Sequence, residues 1–592
     1  NVAVGGAALQ LLTTGNQNVH LGFRAGQYNT VGSNMVVIGN EAGRYATGSL
    51  NVFIGANAGK GGTQTAPYSS GTQNVGIGYN ALAAFTTGGD NTAVGYQAGD
   101  AVTSGVRNTI MGMQAATGLT TGQHNVMIGA YTGYQTTDLD GAVLIGYQAG
   151  YGGNMTSAAD GTVAIGFQAM NNLTTGQRNT GVGSGILYTN SSDGDDNTAM
   201  GYQAGFYNYK GGSNTHFGAY AGHHATGSYN TFVGANAGKG GTTSAPYSSG
   251  QSNTAVGYQA LDNFTTGGSN TAIGEGTLGN VNVGISNTAL GRAAGAAISN
   301  TNYTVLIGQD AGGAINSTGA NGTVVVGTFA GLALTSAAAT IAIGYSAAKV
   351  HTTGGRNIVI GYGAMMDTDA GSTSLGSQDN IFMGYEAGGG TWADAASNNN
   401  IAIGNYALDA ALNGAIYNIA IGVSTLSDLT TGDNNVAIGQ GAMQELTTAS
   451  GNIAIGRATM NVHKNGSYNI AIGNQAMTDT NAGSTSEASA HNIFIGNLAG
   501  GGTWANVASN YNVAIGNYSM EAALNGALNN TALGHYTLSD LTTGDSNVAL
   551  GYNAGGSLTS GFSNILIGRS AGALGTDLYG SVIIGHNAGD AI

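Results

Sequence analysis

One short pattern, NVAIG or NTAVG, recurs along the whole 592-residue chain and limits its fold more than any other feature. There are 33 copies, closing on glycines from Gly5 to Gly585, and the commonest spacing is 17 residues. With the Asn as position 1, position 5 is Gly in all 33 copies, position 2 is Val, Ile or Thr, and position 4 is always apolar. Such a strict pattern at a short period indicates a stack of similar units.

Each copy predicts one short β-strand. Positions 2 and 4 share one side of a strand, and β-branched residues suit a buried pleated surface, so we expect these positions to face a core. The invariant Gly predicts a sharp corner, either through a positive φ or because a neighbouring backbone leaves no room for Cβ. Ala occupies position 8 in 26 copies and predicts a second crowded site. The corner is typified by Gly422, Gly439, Gly456 and Gly473.

The spacing predicts an all-β fold, a parallel β-solenoid or β-roll of about 33 rungs, where a rung is one turn of the coil. Seventeen residues are too few for a βαβ unit or a propeller blade. We expect one continuous array over residues 1–592, a fragment of a longer chain, forming a rod of roughly 160 Å at ~4.8 Å per rung. Stacking would align position 1 into an amide ladder, as in Asn418, Asn435, Asn452 and Asn469.

Position 3 is expected to face away from positions 2 and 4, yet it is apolar in 29 copies. The exceptions are Gly76, Gly181, His20 and His216. A strand that is apolar on both faces is usually covered on both. We therefore expect the position 3 face to pack against copies of itself in an oligomer, most simply three rods around one axis. The alternative is that a loop of the same chain covers it.

Composition excludes several classes of protein. Only 7% of residues are charged, against about 25% in ordinary domains, and 42% are apolar, which argues against disorder. Two prolines exclude collagen, and the absence of cysteine excludes disulfides and thiolate metal sites. A net charge of −15 disfavours nucleic acid as a partner. The repeat also accounts for the uncharged stretch 311–348, so we expect no membrane insertion in this segment.

The NVAIG and NTAIG rungs, with a small residue three positions after the Gly, resemble the head repeats of trimeric autotransporter adhesins. Those heads are trimeric left-handed parallel β-rolls on bacterial surfaces. The rungs are also similar to repeats in phage tail-fibre proteins. The resemblance covers the whole chain and implies a homotrimeric, extracellular fibre, although the adhesin repeat is a few residues shorter. It does not choose between a bacterial or archaeal cell surface and a virion tail or fibre.

Lengthened rungs predict side loops, at 51–73, 142–161, 230–252, 357–399 and 469–511. Two of these rungs carry the only tryptophans, Trp392 and Trp504, and two carry Tyr68 and Tyr247. One interpretation is structural, in which the long loop folds over an extra aromatic residue at position 3. The functional alternative is that these four side chains form aromatic platforms for a sugar ring.

Signals for catalysis, metals and cofactors are weak. Glutamates are few, and no two lie close together in the rung register, so we predict no enzymatic activity and no cofactor. Asp193, Asp195 and Asp196 form a weak candidate for a Ca²⁺ site, and a solvated turn is the plainer interpretation. Position 6 is often Tyr, which together with Asn, Gln, Ser and Thr gives either an adhesive flank or simply a hydrated shaft.

These observations predict a structural or adhesive extracellular fibre shaft that contributes to attachment to a surface or host receptor, with a glycan as the expected ligand. One alternative is a subunit of a self-assembling extracellular filament, because the chain begins and ends in ordinary rungs. Another is an ice-binding solenoid, for which the LTTG threonines provide a regular array only in broken runs.

Overall fold

The computed structural model describes residues 1–189, 194–367, 376–479 and 488–590. It confirms an all-β parallel solenoid with one three-residue strand in each of 33 rungs. The chain divides into two compact units, the first comprising Asn1–Ala293 with Ile298–Asn300 and the second Ala294–Ala297 with Thr301–Ile592.

The first unit contains β1 (Val2–Val4), β2 (Val19–Leu21), β3 (Val36–Ile38), β4 (Val52–Ile54), β5 (Val75–Ile77), β6 (Thr92–Val94), β7 (Thr109–Met111), β8 (Val126–Ile128), β9 (Val143–Ile145), β10 (Val163–Ile165), β11 (Thr180–Val182), β12 (Thr198–Met200), β13 (Thr215–Phe217), β14 (Thr231–Val233), β15 (Thr254–Val256), β16 (Thr271–Ile273) and β17 (Thr288–Leu290). The second unit contains β18 (Val305–Ile307), β19 (Val324–Val326), β20 (Ile341–Ile343), β21 (Ile358–Ile360), β22 (Ile381–Met383), β23 (Ile401–Ile403), β24 (Ile419–Ile421), β25 (Val436–Ile438), β26 (Ile453–Ile455), β27 (Ile470–Ile472), β28 (Ile493–Ile495), β29 (Val513–Ile515), β30 (Thr531–Leu533), β31 (Val548–Leu550), β32 (Ile565–Ile567) and β33 (Val582–Ile584).

Strands of successive rungs pair in parallel, and each repeat position pairs with the same position of the next rung. In the second unit, for example, Ile419 pairs with Val436, Ala420 with Ala437 and Ile421 with Ile438. The described chain includes two single 3-10 turns, Ser157–Ala159 and Thr318–Ala320. Neither those turns nor any other described segment forms a helix long and apolar enough to cross a bilayer.

The inward face of each strand is position 3, and the expectation that positions 2 and 4 face the core is wrong. Ala420, Ala437 and Phe382 at position 3 are fully buried within one chain. Position 4 points outward, and Ile421 and Ile455 are each 36% exposed. The predicted packing of position 3 against another copy is therefore also wrong, because the coil of the same chain encloses that face.

Positions 3 and 9 share the interior volume of a rung. In the rung of Ala437, position 9 is the long side chain of Met443, and both are fully buried. Where position 3 is Phe382, position 9 is Gly388, and a Cβ added there would lie 2.8 Å from the phenylalanine ring. In these two rungs one of the two positions carries a large side chain and the other a small one, so together they fill the interior.

The predicted amide ladder at position 1 is confirmed. The backbone N–H and the Nδ2 of Asn435 both donate to Oδ1 of Asn418, each at 3.0 Å. Asn452 donates to Asn435 in the same way, at 3.0 Å and 3.2 Å, and Asn469 continues the ladder. The second hydrogen of Asn435 Nδ2 reaches the carbonyl of Ala449 at 2.9 Å. All of these amides are buried, so the ladder satisfies polar groups inside the stack.

Both expected reasons for the invariant glycine hold. Gly422, Gly439, Gly456 and Gly473 have φ values of +138°, +129°, +136° and +141°. A Cβ added to Gly439 would lie 2.4 Å from the carbonyl oxygen of Gly456 in the next rung. Any other residue at this corner would therefore be strained and would collide with backbone.

Candidate functional site

The outer strand face, which we define as positions 2 and 4 of the rungs, is an exposed apolar feature of each unit. In the second unit its position 4 members that are more than one third exposed are Met383, Ile403, Ile421, Ile455, Ile515, Leu533, Leu550 and Ile584. In the first unit the corresponding members are Val4, Met111, Met200, Phe217, Ile273 and Leu290. Soluble monomers rarely expose apolar surface in continuous rows, so this face is a candidate for interaction.

Columns of aromatic residues accompany this face. Position 6, just after the corner glycine, carries exposed tyrosines whose rings stack between rungs, as Tyr345 on Tyr362 at 5.1 Å and Tyr362 on Tyr385 at 5.3 Å. The residue before position 1 forms a second column in places. There the ring centroid of His491 lies 5.2 Å from Tyr468 and 5.1 Å from Tyr511. In sequence, the strand thus lies between two columns of flat aromatic side chains.

The two tryptophans do not form the platforms predicted for them. Trp392 and Trp504 are fully buried, and their Nε1 atoms donate to the carbonyls of Gly388 and Gly500, each at 3.0 Å. Each indole meets the position 3 phenylalanine of its own rung edge-on, with 5.6 Å between the ring centroids. A sugar ring cannot reach either face of these indoles. In these two lengthened rungs the indole and the position 3 phenylalanine are both fully buried.

Tyr68 remains accessible and borders a cleft. The first lengthened rung and its neighbours enclose a cavity of about 500 Å³, within the range of about 300–1,000 Å³ that small-molecule sites occupy. Tyr68 is half-buried and its ring centroid lies 5.1 Å from Tyr28 and 6.1 Å from Tyr45. The residues that line the cleft are Thr30, Thr47, Thr63, Ala66, Pro67, Tyr68, Ser70, Thr86 and Thr87.

An ion cluster lies beside this tyrosine stack. Glu41 binds Arg24 at 3.2 Å, Arg44 at 2.8 Å and Lys60 at 3.0 Å, and the guanidinium carbon of Arg44 is 5.0 Å from the centre of the Tyr45 ring. Burial alone would raise the pKa of Glu41, but the hydrogen bonds from Lys60 and Arg24 outweigh it and hold that pKa below its usual value. Through Arg44, which packs on Tyr28 and Tyr45, the ion cluster contacts the tyrosine stack.

The duplicated rung around Tyr247 is built differently. The residue 179 positions after Thr30 is Tyr209, and its ring lies edge-on to Tyr247 at 6.0 Å. His224 and Tyr207 also stack on Tyr247, at 5.9 Å and 4.5 Å. At the positions of Thr30 and Glu41 in the first copy, the second copy has the aromatic residues Tyr209 and Tyr220.

Two of the three aspartates of the weak metal candidate lie in the described chain, and both have other partners. Asp193 lies outside the described residues. Asp195 accepts a hydrogen bond from the backbone N–H of Gln177 at 2.8 Å, and Asp196 forms a bidentate pair with Arg178 at 2.6 Å and 2.9 Å. Within the described ranges, no three His, Cys, Asp or Glu side chains are grouped so that they could hold a metal ion.

Comparisons of the chain with protein-family models and with curated proteins find no match. Sequence reasoning named Tyr68 as a candidate but missed the cleft beside it and the exposure of positions 2 and 4. The replacement of Thr30 by Tyr209 at the same place in the duplicated block was a usable signal for the cleft.

Proposed function

We propose that this chain is the non-enzymatic shaft of an extracellular fibre, which assembles from copies of itself and contributes to attachment to a glycan-bearing surface. The observation that carries the proposal is the exposed row of apolar side chains on the outer strand face. The resemblance to adhesin heads and tail fibres supports the same function. The location is a bacterial or archaeal cell surface, or a virion tail or fibre.

A second copy of the chain is the occupant that best suits the outer strand face. The face repeats from rung to rung and carries no charged residue at positions 2 and 4, so an identical face on another copy matches it in spacing and in polarity. Packing of β-branched and aliphatic side chains stabilises such contacts by roughly 25 cal/mol per Å² of apolar surface removed from water. Three copies around one axis is the simplest closed arrangement that covers this face on every copy.

The flanks away from the strand support attachment. Their solubility rests on Asn, Gln, Ser, Thr and Tyr, because only 7% of the residues are charged. Amides and hydroxyls form hydrogen bonds with saccharide hydroxyls, and tyrosine supplies contact area at a low cost in conformational entropy. A surface of this composition suits a neutral, hydroxyl-rich ligand better than a charged one.

Light scattering over a hundredfold range of concentration tests the assembly. We expect a fixed mass of three chains, each of 58.5 kDa. A fixed mass of one chain would contradict self-association through the outer strand face. A mass that rises with concentration would favour a filament subunit instead, and thermal hysteresis in the same samples would favour ice binding.

A further inference from the structure

We propose that the cleft beside Tyr68 is a binding site for a neutral saccharide. The inference deepens the attachment part of the proposed function and rests on it, but it does not depend on the number of chains in the fibre. It concerns one built cavity in the first unit rather than the general composition of the flanks.

The lining of the cleft matches the two kinds of surface that a sugar ring presents. Threonine and serine hydroxyls form one part of the lining, and two of them are already oriented. The Thr47 and Thr86 hydroxyls donate to the carbonyls of Ser69 and Thr103, both at 3.1 Å, so their lone pairs are left to accept from a ligand. Pro67 and the Tyr68 ring supply the apolar part, which suits the C–H face of a saccharide.

The charge of the lining sets the ligand class. None of the nine residues that line the cleft carries a formal charge. The nearby cations Arg24, Arg44 and Lys60 share the single carboxylate of Glu41 and are absent from the lining. A charged ligand would lose hydration in the cleft without an ionic partner in the lining, so an uncharged sugar is favoured.

Tyr68 is held in place before any ligand arrives. Tyr28 stacks on Tyr45 at 5.1 Å, and both rings contact the ring of Tyr68. Arg44 packs over Tyr45 and donates from Nε to Gln27 at 3.1 Å, which anchors the stack. A ring that is already ordered loses little conformational entropy when it binds, so the site is preorganised.

The second copy of the loop provides a contrast within the same chain. Tyr209 stands where the first copy has Thr30, and it packs edge-on against Tyr247. The larger ring takes up space that threonine leaves open. We therefore infer that the first copy binds the saccharide and that the second does not.

The test uses the full chain and saturation-transfer NMR with glucose, galactose, mannose and N-acetylglucosamine at millimolar concentration, and with sialic acid as a charged probe. The informative variants are Thr30→Tyr, which copies the second loop, and Tyr68→Ala, which removes the ring wall. Tyr247→Ala is the matched control in the second copy. Circular dichroism and native mass establish that each variant is folded and assembled as the parent chain is.

We expect at least one neutral sugar to bind, each informative variant to weaken its binding at least tenfold, and the control to bind like the parent. Binding that persists in Thr30→Tyr would overturn the cleft while leaving glycan attachment in place. Binding of sialic acid alone would overturn the neutral ligand class. Absence of binding to the whole panel would overturn the inference, whereas the fibre shaft itself is judged separately by its native mass.

Discussion

The two compact units share one backbone plan but fill it with different side chains. On the outer strand face, the first unit has Thr at position 2 in nine of its 17 strands, whereas Thr531 is the single case among the 16 strands of the second. Inside, position 3 of the first unit includes His20, His216, Gly76 and Gly181, whereas in the second unit it is always Ala, Val, Leu, Ile or Phe. The same coil therefore accepts different residues at positions 2 and 3. The second unit is the more apolar at position 2, outside the coil, and at position 3, inside it.

The difference indicates where association and acid sensitivity lie. An outer face of Val and Ile loses more unfavourable hydration on contact than one in which nine of the 17 position 2 residues carry a hydroxyl. A buried histidine stays neutral in the folded chain at a pH at which the unfolded chain already binds a proton. The free energy of unfolding therefore decreases as the pH falls. We therefore expect the second unit to drive self-association and the first to be the more sensitive to acid.

The largest expected effect is on association. Lysine at two exposed positions of the second unit, Ile421→Lys with Ile455→Lys, should lower the association constant at least tenfold, because buried ammonium groups of like charge would face one another. The matched pair in the first unit, Met111→Lys with Met200→Lys, should have a smaller effect. Light scattering at equal chain concentration measures both, with circular dichroism to check folding. Equal masses for the parent and both variants would show that the outer strand face is not the interface.

The next effect concerns the interior of the second unit. Ala437→Phe should destabilise the fold by about 1–3 kcal/mol, because the long side chain of Met443 already occupies the shared volume. Met443→Gly alone should cost about 2–5 kcal/mol through the cavity it leaves. The double variant should recover most of both losses, since it recreates the natural pair of Phe382 and Gly388. Denaturant unfolding followed by tryptophan fluorescence measures this, and purely additive losses would contradict the shared volume.

Acid should destabilise the first unit through its two position 3 histidines. Burial lowers the pKa of His20 and of His216 to about 4, and the ring nitrogens of His216 have no hydrogen-bond partner. Above pH 6.5 both rings are neutral in the folded and unfolded chain and the penalty is absent. As pH falls from 6.5 towards 4, only the unfolded chain gains protons, so stability decreases by about 2–3 kcal/mol per histidine at pH 4.5.

The difference between the parent and His20→Leu with His216→Leu isolates this effect. Burial raises the pKa of Asp100 to about 6, which opposes the histidines in both proteins and cancels in the comparison. Both tryptophans belong to the second unit, so their fluorescence reports that unit alone, while circular dichroism reports the whole chain. An unchanged pH dependence in the leucine variant would contradict the assignment. The second unit also has a buried histidine, His351, with its pKa lowered to about 4, so its own acid response should be smaller but present.

The smallest effect is a gain at a gap in the amide ladder. Thr340 occupies position 1, is fully buried, and its hydroxyl has no hydrogen-bond partner. Thr340→Asn should raise the unfolding free energy by about 0.5–1.5 kcal/mol, because the amide would accept from Asn357 as in the neighbouring rungs. Thr323→Asn is the control, since the Thr323 hydroxyl already donates to Ala337 at 2.9 Å and less can be gained. Thermal unfolding measures both, and equal gains would contradict the ladder as the cause.

The repeat alone was sufficient to predict the strands, their parallel register, the ladder at Asn418 to Asn469 and the corner glycines. It was insufficient to orient the strand, because Ala437 at position 3 and Ile438 at position 4 are both apolar and hydropathy cannot distinguish inside from outside. It also missed the left-handed residues, such as Tyr417 at φ +60° and Leu426 at φ +52°. Non-glycine side chains rarely adopt that conformation, which costs roughly 1–2 kcal/mol per residue.

Among the predicted ligand sites, the aromatic residue type was a poor guide to exposure. Trp392 and Trp504 fill the interior beside a phenylalanine, whereas Tyr68 lies at the mouth of a cleft. The sequence shows that both kinds of residue occur in lengthened rungs. The surroundings of an inserted loop also depend on the side chains of adjacent rungs. Thr30 lines the cleft beside Tyr68, whereas Tyr209 packs against Tyr247 in the second copy.

An invariant glycine and an asparagine at fixed spacing already predict that this chain stacks short strands in register, because few other folds accept them. Which strand face lies inside the coil could be read only from the folded chain. Both faces are apolar, so local hydropathy does not distinguish them. The inward face is fixed when the rung closes against its neighbours, with position 3 inside.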